Sequence, residues 1–301
     1  MTTTHTPKKV EIAKKKFSLR KWWRDLGFRH LILILVSIFA LYPVVWILSS
    51  AFNAVDTLSG AQLFPRQATT DNFAGLFNND STPFARWIWN SYKIAIVASV
   101  INLIIASMAA FAFSRFRFKG RRVGLLTLLL VQVFPQFLAF VAILLLIQQI
   151  GEVIPSAGLD THLGLILVYL GGAIGFNTFL IKGFMDSVPG SLDEAAKVDG
   201  ASSWDVFWRI IFPLARPVLA VIFILTFIGI YSEFLLAATL LRSSEQFTLP
   251  LGLRLFVQSE YNAKWGALSA AALIGGGPII VTFLLVQKQI ISGLTQGAVK
   301  G

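Results

Sequence analysis

The sequence predicts an all-α polytopic membrane protein with six transmembrane helices and both termini in the cytoplasm. Three observations predict this fold class. The 301-residue chain is 55% hydrophobic, and only 14% of its residues are charged, against roughly 25% in soluble globular domains. Its apolar residues fall into six long runs, each close to the ~20 residues that cross a bilayer core. The basic residues gather on one side of these runs.

The six runs are separated by polar segments of unequal length. We expect the spans at 31–50, 92–113, 124–148, 163–182, 217–241 and 264–287. The first run is longer than the apolar region of a signal peptide, which predicts an uncleaved span. A basic segment (1–30) precedes a six-helix domain (31–289), and a short polar tail (290–301) follows it.

The positive-inside rule determines the predicted orientation. With the N-terminus inside, twenty Lys and Arg residues lie on the inner side and six on the outer side. The loops 52–91 and 242–263 are therefore expected outside, and the polar segment 183–213 is expected in the cytoplasm.

Composition and motifs exclude several classes of function. The chain has no cysteine, which excludes disulfides and thiolate metal sites. Its three histidines are far apart in sequence and show no metal-ligand spacing. The basic residues flank apolar runs instead of forming a nucleic-acid surface. No Gly-Lys dipeptide occurs, so a P-loop is absent, and no catalytic constellation is visible. Any directional work must draw its energy from elsewhere.

A few polar residues interrupt the predicted spans and are candidates for lining a pathway, because polar groups are costly in hydrocarbon and usually face a cavity or a partner. They are Gln132, Gln136, Asn177 and Glu233. Glu233 is expected near the outer end of its span, where it either lines the mouth of a pathway or is a satisfied interfacial carboxylate. The run Gly275-Gly276-Gly277-Pro278 is expected to weaken and kink the last span, as a hinge or as a close-packing face.

The segment 183–213 resembles two short helices joined by a turn. Ser191 and Glu194 have the spacing of a capping box. Gly200 stands where a short helix needs a residue that tolerates positive φ. Ser202 and Asp205 are expected to cap a second helix that ends at Pro213. This pattern alone is consistent with an amphipathic surface loop or with a docking element for a cytosolic partner.

The same segment carries a family motif. Glu194-Ala195-Ala196 is followed after three residues by Gly200, after nine more by Ile210, and then by Phe212-Pro213. This resembles the E-A-A-x3-G-x9-I-x-L-P loop of binding-protein-dependent ABC importer permeases, with Phe212 in place of leucine.

The resemblance covers the chain from the first span onward, and it is greatest to the smaller, MalG-like permeases of maltose and maltodextrin importers. The segments that carry it are Asn90-Ser91-Tyr92-Lys93, Phe134-Pro135, Gly151-Glu152-Val153-Ile154-Pro155, Tyr169-Leu170-Gly171-Gly172 and the tail from Gly293 to Gly301.

The resemblance implies a type I ABC importer permease fold in a bacterial inner membrane. The implied partners are a larger, MalF-like permease, a homodimer of ATPase subunits and a soluble or lipid-anchored sugar-binding protein. ATP and Mg²⁺ would be bound by the ATPase partner, so this chain would be non-catalytic and carry no cofactor.

The resemblance also assigns residues to each contact. Those implied to couple to the ATPase are Glu194, Ala195, Ala196, Asp199, Gly200 and Pro213. The tail residues Gln296, Gly297 and Lys300 would contact the ATPase subunits. The binding protein would meet Ser243, Ser244, Glu245, Gln246 and Phe247.

The implied cargo is maltose or maltodextrin. Two alternatives stay open: the same architecture importing another sugar or a polyol, and, from another class, a secondary transporter that works without ATPase partners.

Overall fold

The computed structural model describes residues 19–54, 65, 67–78, 82–258 and 263–298, with side chains as far as Ile290. The described chain is nearly all helical and contains no β-strand, only an isolated bridge between Asn53 and Ala68. Its principal helices are α1 (Phe28–Ala51), α2 (Asp71–Phe77), α3 (Phe84–Arg115), α4 (Arg121–Val133), α5 (Phe140–Val153), α6 (His162–Leu170), α7 (Phe176–Ser187), α8 (Ser191–Val198), α9 (Ser203–Leu214), α10 (Arg216–Tyr231), α11 (Leu235–Leu240), α12 (Leu249–Leu253) and α13 (Trp265–Ala298). The all-α prediction is therefore confirmed for the described residues.

Three of these helices, α1, α3 and α13, are long and apolar enough to cross a membrane. Two bent pairs raise the number of candidate spans to five if each pair is one span. The segments Arg121–Val133 and Phe137–Val153 meet at 83°, and α9 and α10 meet at 78°. The count of six spans stays a prediction.

The third, fourth and fifth spans expected from the sequence, at 124–148, 163–182 and 217–241, are each interrupted. The first breaks at Phe134-Pro135, where proline cannot donate an N–H to a continuing helix. The second breaks over 171–175, which contains three glycines, and the third breaks between Tyr231 and Leu235. A hydropathy window of about 19 residues averages over breaks this short, so each segment still scores as one apolar run.

The glycine run in the last helix does not break it, since α13 continues through Pro278. A Cβ on Gly275 would lie 2.4 Å from Leu249 Cδ2, and the Gly275 carbonyl accepts a hydrogen bond from Tyr231 Oη at 2.8 Å. The absent side chain thus permits close packing against α12. The predicted packing face is present, and the helix continues through the run; the predicted weakening and kink stay predictions.

The core is built around α3, which packs against α7, α10 and α6. Half of its most apolar 18-residue stretch is buried, whereas none of the corresponding stretch of α1 is buried. Helix α1 contacts mainly α13 and exposes most of its apolar side chains. Such a face requires lipid or another apolar partner.

Candidate functional site: two loops held by one helix

Helix α8 carries the Glu-Ala-Ala segment and exposes it. Glu194 and Ala195 are exposed, Ala196 is half-buried, and Asp199 and Gly200 are exposed. The capping box predicted for Ser191 and Glu194 is wrong. Gly190 occupies the N-cap with helical φ and ψ, and no side chain caps this helix end. Because Ser191 is already helical, the Glu194 carboxylate is not used for capping.

The turn after α8 has the expected geometry. Gly200 has φ of +85°, a region where a side chain is strained and glycine is favoured. The N–H of Ala201 donates to Ala196 O at 2.9 Å, and the N–H of Gly200 donates to Lys197 O at 3.0 Å. These bonds satisfy carbonyls that the helix end would otherwise leave unpaired. The chain therefore reverses direction in a tight turn directly after the helix that carries the Glu-Ala-Ala segment.

The second helix begins with the capping box expected there. The N–H of Asp205 donates to Ser202 Oγ at 3.2 Å, and the N–H of Ser202 donates to Asp205 Oδ2 at 3.2 Å. The hydrogen bond from the Ser202 hydroxyl, followed by the backbone one, holds the pKa of Asp205 below its ordinary value. Helix α9 runs one residue past Pro213, to Leu214, and bends into α10.

Helix α9 attaches this helix pair to the bundle. Phe207 and Ile211 are fully buried in a cluster with Ala106 of α3 and Met185 of α7. The cluster continues into α10 through Leu219. One helix of the pair is thus seated in the core while the other presents exposed residues, an arrangement suited to a docking element.

The second predicted contact region, Ser243–Phe247, is tied down through its backbone. Trp87 Nε1 donates to Ser244 O at 2.8 Å, and Asn90 Nδ2 donates to Glu245 O at 2.8 Å and to Phe247 O at 3.0 Å. Glu245 is exposed, whereas the Phe247 side chain is half-buried and packs against the core. Glu245 therefore remains accessible, and Phe247 supports the loop from within.

Asp160 holds the beginning of this loop by hydrogen bonds. Its carboxylate accepts hydrogen bonds from the N–H groups of Arg242 at 2.8 Å and Ser243 at 3.0 Å, and from the Ser243 hydroxyl. Burial alone would raise the pKa of Asp160, but these hydrogen bonds outweigh it and hold the pKa below its ordinary value.

The pathway candidates do not form one cluster. Asn177 donates to Thr226 Oγ1 at 3.2 Å, and the Gln132 side chain lies against Gly175. Gln136 lies in a short 3-10 turn, Gln136–Ala139, and its side chain is outside the described part of the structure. No described contact joins these residues to Glu233.

Glu233 has three hydrogen-bond donors of its own. Tyr169 Oη donates to Glu233 Oε2 at 2.8 Å, and the N–H groups of Leu236 and Ala237 donate to its carboxylate at 2.7 and 3.1 Å. This geometry is that of a satisfied carboxylate capping α11. Sequence reasoning missed Tyr169 as its partner, because the two residues are 64 positions apart.

The predicted tail is partly helical. Helix α13 extends to Ala298, so Gln296 and Gly297 belong to it and not to a separate polar segment. Lys300 lies outside the described residues.

With this geometry established, comparison with known proteins identifies the family. Residues 102–296 match the family model for the inner membrane component of binding-protein-dependent transport systems. The chain is 40% identical over 284 residues to the galactooligosaccharides transport system permease protein GanQ of Bacillus subtilis, covering 94% of this chain and 98% of that protein.

A second curated relative and a solved structure agree. The chain is 35% identical over 283 residues to the maltose/maltodextrin transport system permease protein MalG of Escherichia coli K12, covering 90% of this chain and 95% of that protein. A chain of a bacterial ABC transporter that imports alginate shares the fold with a TM-score of 0.70 at 24% identity, over 91% of this chain and 99% of that one. These relatives are permease subunits, and the ATPase of such importers is a partner chain, so this chain is not an enzyme. The chain belongs to the family of binding-protein-dependent transport system inner membrane components, as a permease subunit of a sugar ABC importer.

Proposed function

We propose that this chain forms one half of the translocation pathway of an importer for short neutral oligosaccharides. Its partners are a larger permease, two ATPase subunits beneath it and a sugar-binding protein outside. The observation that carries this proposal is the exposed Glu-Ala-Ala segment of α8 on a helix pair whose other member is buried in the bundle. Such a segment is accessible to a partner and rigidly connected to the membrane helices.

The proposed topology has six spans with both termini in the cytoplasm of a bacterium. The charge asymmetry supports it. In this orientation α8 and the end of α13 face the ATPases, and Ser243–Phe247 faces the binding protein. ATP and Mg²⁺ are bound by the ATPase subunits, and this chain holds no cofactor.

ATPase closure is coupled to the membrane helices through α8 and α9. Closure of the ATPase subunits on ATP moves the exposed face of α8, and Glu194 is the contact that a basic residue of the ATPase would bind. Because α9 is packed against α3, α7 and α10, a displacement of α8 moves these helices with it. Gly200 allows the tight reversal that keeps the two short helices together.

The cargo class is supported by the relatives, and two members of it compete. The relatives named above transport galactooligosaccharides and maltose or maltodextrin, with 40% and 35% identity to this chain. Maltodextrins follow from the tail and loop motifs, while the greater identity to GanQ favours galactooligosaccharides. Uptake of radiolabelled maltotriose and galactotriose by a strain that lacks this chain decides between them. Unimpaired uptake of both sugars refutes the cargo class.

Glu194→Lys tests the docking role. In the reconstituted complex we expect transport per ATP hydrolysed to fall while membrane insertion is unchanged. Gly200→Asp should have the same effect, because it strains the turn at φ of +85°. Glu152→Lys is the matched control, since Glu152 is exposed at the end of α5, outside the docking surface. Wild-type coupling in both test variants would count against the docking role.

Purification distinguishes this function from secondary transport. The proposal requires that the chain co-purifies with a second permease and two ATPase copies. A secondary transporter would be purified alone, and its uptake would follow the proton or sodium gradient in vesicles that contain no ATP.

A further inference from the structure

Arg115, the last residue of α3, reaches into the segment that leads to α8. Its Nε lies 2.7 Å from Asp193 Oδ2, and its Nη2 donates to Val188 O at 3.1 Å. Both charged side chains are largely buried, with 14% of the Arg115 side chain and 12% of the Asp193 side chain exposed. The Arg115 guanidinium thus contacts both the segment before α8, at Val188, and the first turn of α8, at Asp193.

A second ion pair at this end of the bundle, between Lys182 and Asp186, is of a different kind. Lys182 and Asp186 are four residues apart on α7, and 14% of the Lys182 side chain and 41% of the Asp186 side chain are exposed. The pair therefore lies within one helix and does not join α8 to α3. Ser114 Oγ also donates to Asp186 at 2.6 Å. Two consecutive residues of α3 therefore hold two acidic residues on either side of the turn between α7 and α8.

The pair between Arg115 and Asp193 determines the direction of the side chain of Glu194, the next residue on α8. Consecutive residues on an α-helix are about 100° apart around its axis. Asp193 is directed inward and is 8% exposed, whereas Glu194 is exposed. Fixing the inward carboxylate therefore fixes the direction of the outward one. Arginine suits this role because its planar fork makes two contacts in fixed geometry, which an ammonium group cannot do.

We propose that Arg115 and Asp193 are a positioning pair that orients α8 on the membrane helices and transmits its movement to α3. This role rests on the proposed coupling function of α8, and it concerns an ion pair within the chain, not a contact with the ATPase. Removal of Arg115 leaves a largely buried carboxylate without its counter-charge, so the first turn of α8 loses its fixed position.

The first test measures orientation without transport. The chain contains no cysteine, so spin labels are introduced at Lys119→Cys and Lys197→Cys, two exposed positions near the end of α3 and on α8. Their distance distribution is recorded by pulsed electron paramagnetic resonance in the assembled complex. We expect Arg115→Ala to broaden the distribution and Arg115→Lys to broaden it less. Lys182→Ala, which removes the pair within α7, should leave the distribution unchanged.

The second test measures coupling in the same complexes. In Arg115→Ala we expect transport per ATP hydrolysed to fall about tenfold, within the range by which residues that carry movement between sites alter coupling. The reversed pair, Arg115→Asp with Asp193→Arg, should recover part of the loss suffered by each single variant. An unchanged distance distribution, an unchanged transport ratio in Arg115→Ala, or a reversed pair as impaired as its single variants would each overturn the proposal.

The two proposals fail in distinguishable ways. If Glu194→Lys and Gly200→Asp both keep the wild-type transport ratio, α8 is not the docking element and the proposed function is refuted. If Glu194→Lys uncouples the complex while Arg115→Ala behaves as wild type in both tests, the docking role stands and the positioning role is refuted.

Discussion

Asn90→Ala should release the loop Ser243–Phe247 without disturbing the helix that carries the residue. Asn90 lies on α3 and is 3% exposed, and its Nδ2 is the donor for Glu245 O at 2.8 Å and Phe247 O at 3.0 Å. Alanine at this position keeps the helix but leaves both carbonyls without that donor. The loop and the residues just after it would then depend on their contacts to Trp87, Ser91, Asp160 and His162.

The expected magnitude follows from the two bonds. Each contributes about 0.5–1.5 kcal/mol net, and a buried carbonyl left unpaired costs about 1–3 kcal/mol. Because the bonds are only partly buried, water replaces part of the loss. We therefore expect about 2 kcal/mol in the free energy of loop opening. This corresponds to about 30-fold more frequent opening, since 1.36 kcal/mol is a factor of ten.

Amide hydrogen exchange of the assembled complex, read by mass spectrometry over peptides that contain 243–249, measures this opening directly. The matched control is Asn102→Ala, which removes the same side chain from the same helix. Asn102 donates to Ala98 O at 2.9 Å and Tyr169 O at 3.4 Å and has no described bond to the loop. Exchange within about twofold of wild type in Asn90→Ala, or equal acceleration in Asn102→Ala, would refute this reasoning.

Three further outcomes are expected. Gly200→Ala should destabilise the turn after α8 by about 1–2 kcal/mol, seen as faster proteolysis there, because its φ is +85° although nothing lies within 4 Å of the new Cβ. Gly252→Ala should lower Tm by the equivalent of about 1–3 kcal/mol, since its Cβ would lie 2.2 Å from Trp87 Cε3; Gly229→Ala, with open space, is the control. The depressed pKa of Asp205 predicts capping that is complete above its ordinary pKa of 3.8 and lost as pH falls through the lower folded value, measured by amide exchange in α9.

The two capping predictions show what local sequence can and cannot decide. Ser191 and Glu194, like Ser202 and Asp205, have a hydroxyl followed three residues later by a carboxylate. Ser202 has the extended backbone of an N-cap, with φ of −71° and ψ of 161°, while Gly190 before Ser191 is already helical. The backbone at these positions depends on packing against the rest of the bundle, and the local pattern does not contain that information.

Glu233 illustrates a second limit of the sequence. A position near the outer end of a span follows from counting 1.5 Å per residue along an unbroken helix. The helix in fact ends at Tyr231, and the Glu233 carboxylate caps the next one. The carboxylate also accepts a hydrogen bond from Tyr169, and no hydropathy window or motif reports a partner so distant in sequence.

The two regions to which the family resemblance assigns partner contacts, α8 and Ser243–Phe247, are held by the same helix. Ser114 and Arg115, at one end of α3, grip the turn before α8. Trp87 and Asn90, near its other end, hold the loop Ser243–Phe247. The 32 residues of α3 span about 48 Å at 1.5 Å per residue. A rigid rod of this length turns a small tilt at one end into a displacement at the other. Under the proposed topology, movement of α8 on the ATPases would therefore reach the face that meets the binding protein through one helix, and Arg115→Ala and Asn90→Ala would interrupt that connection at its two ends.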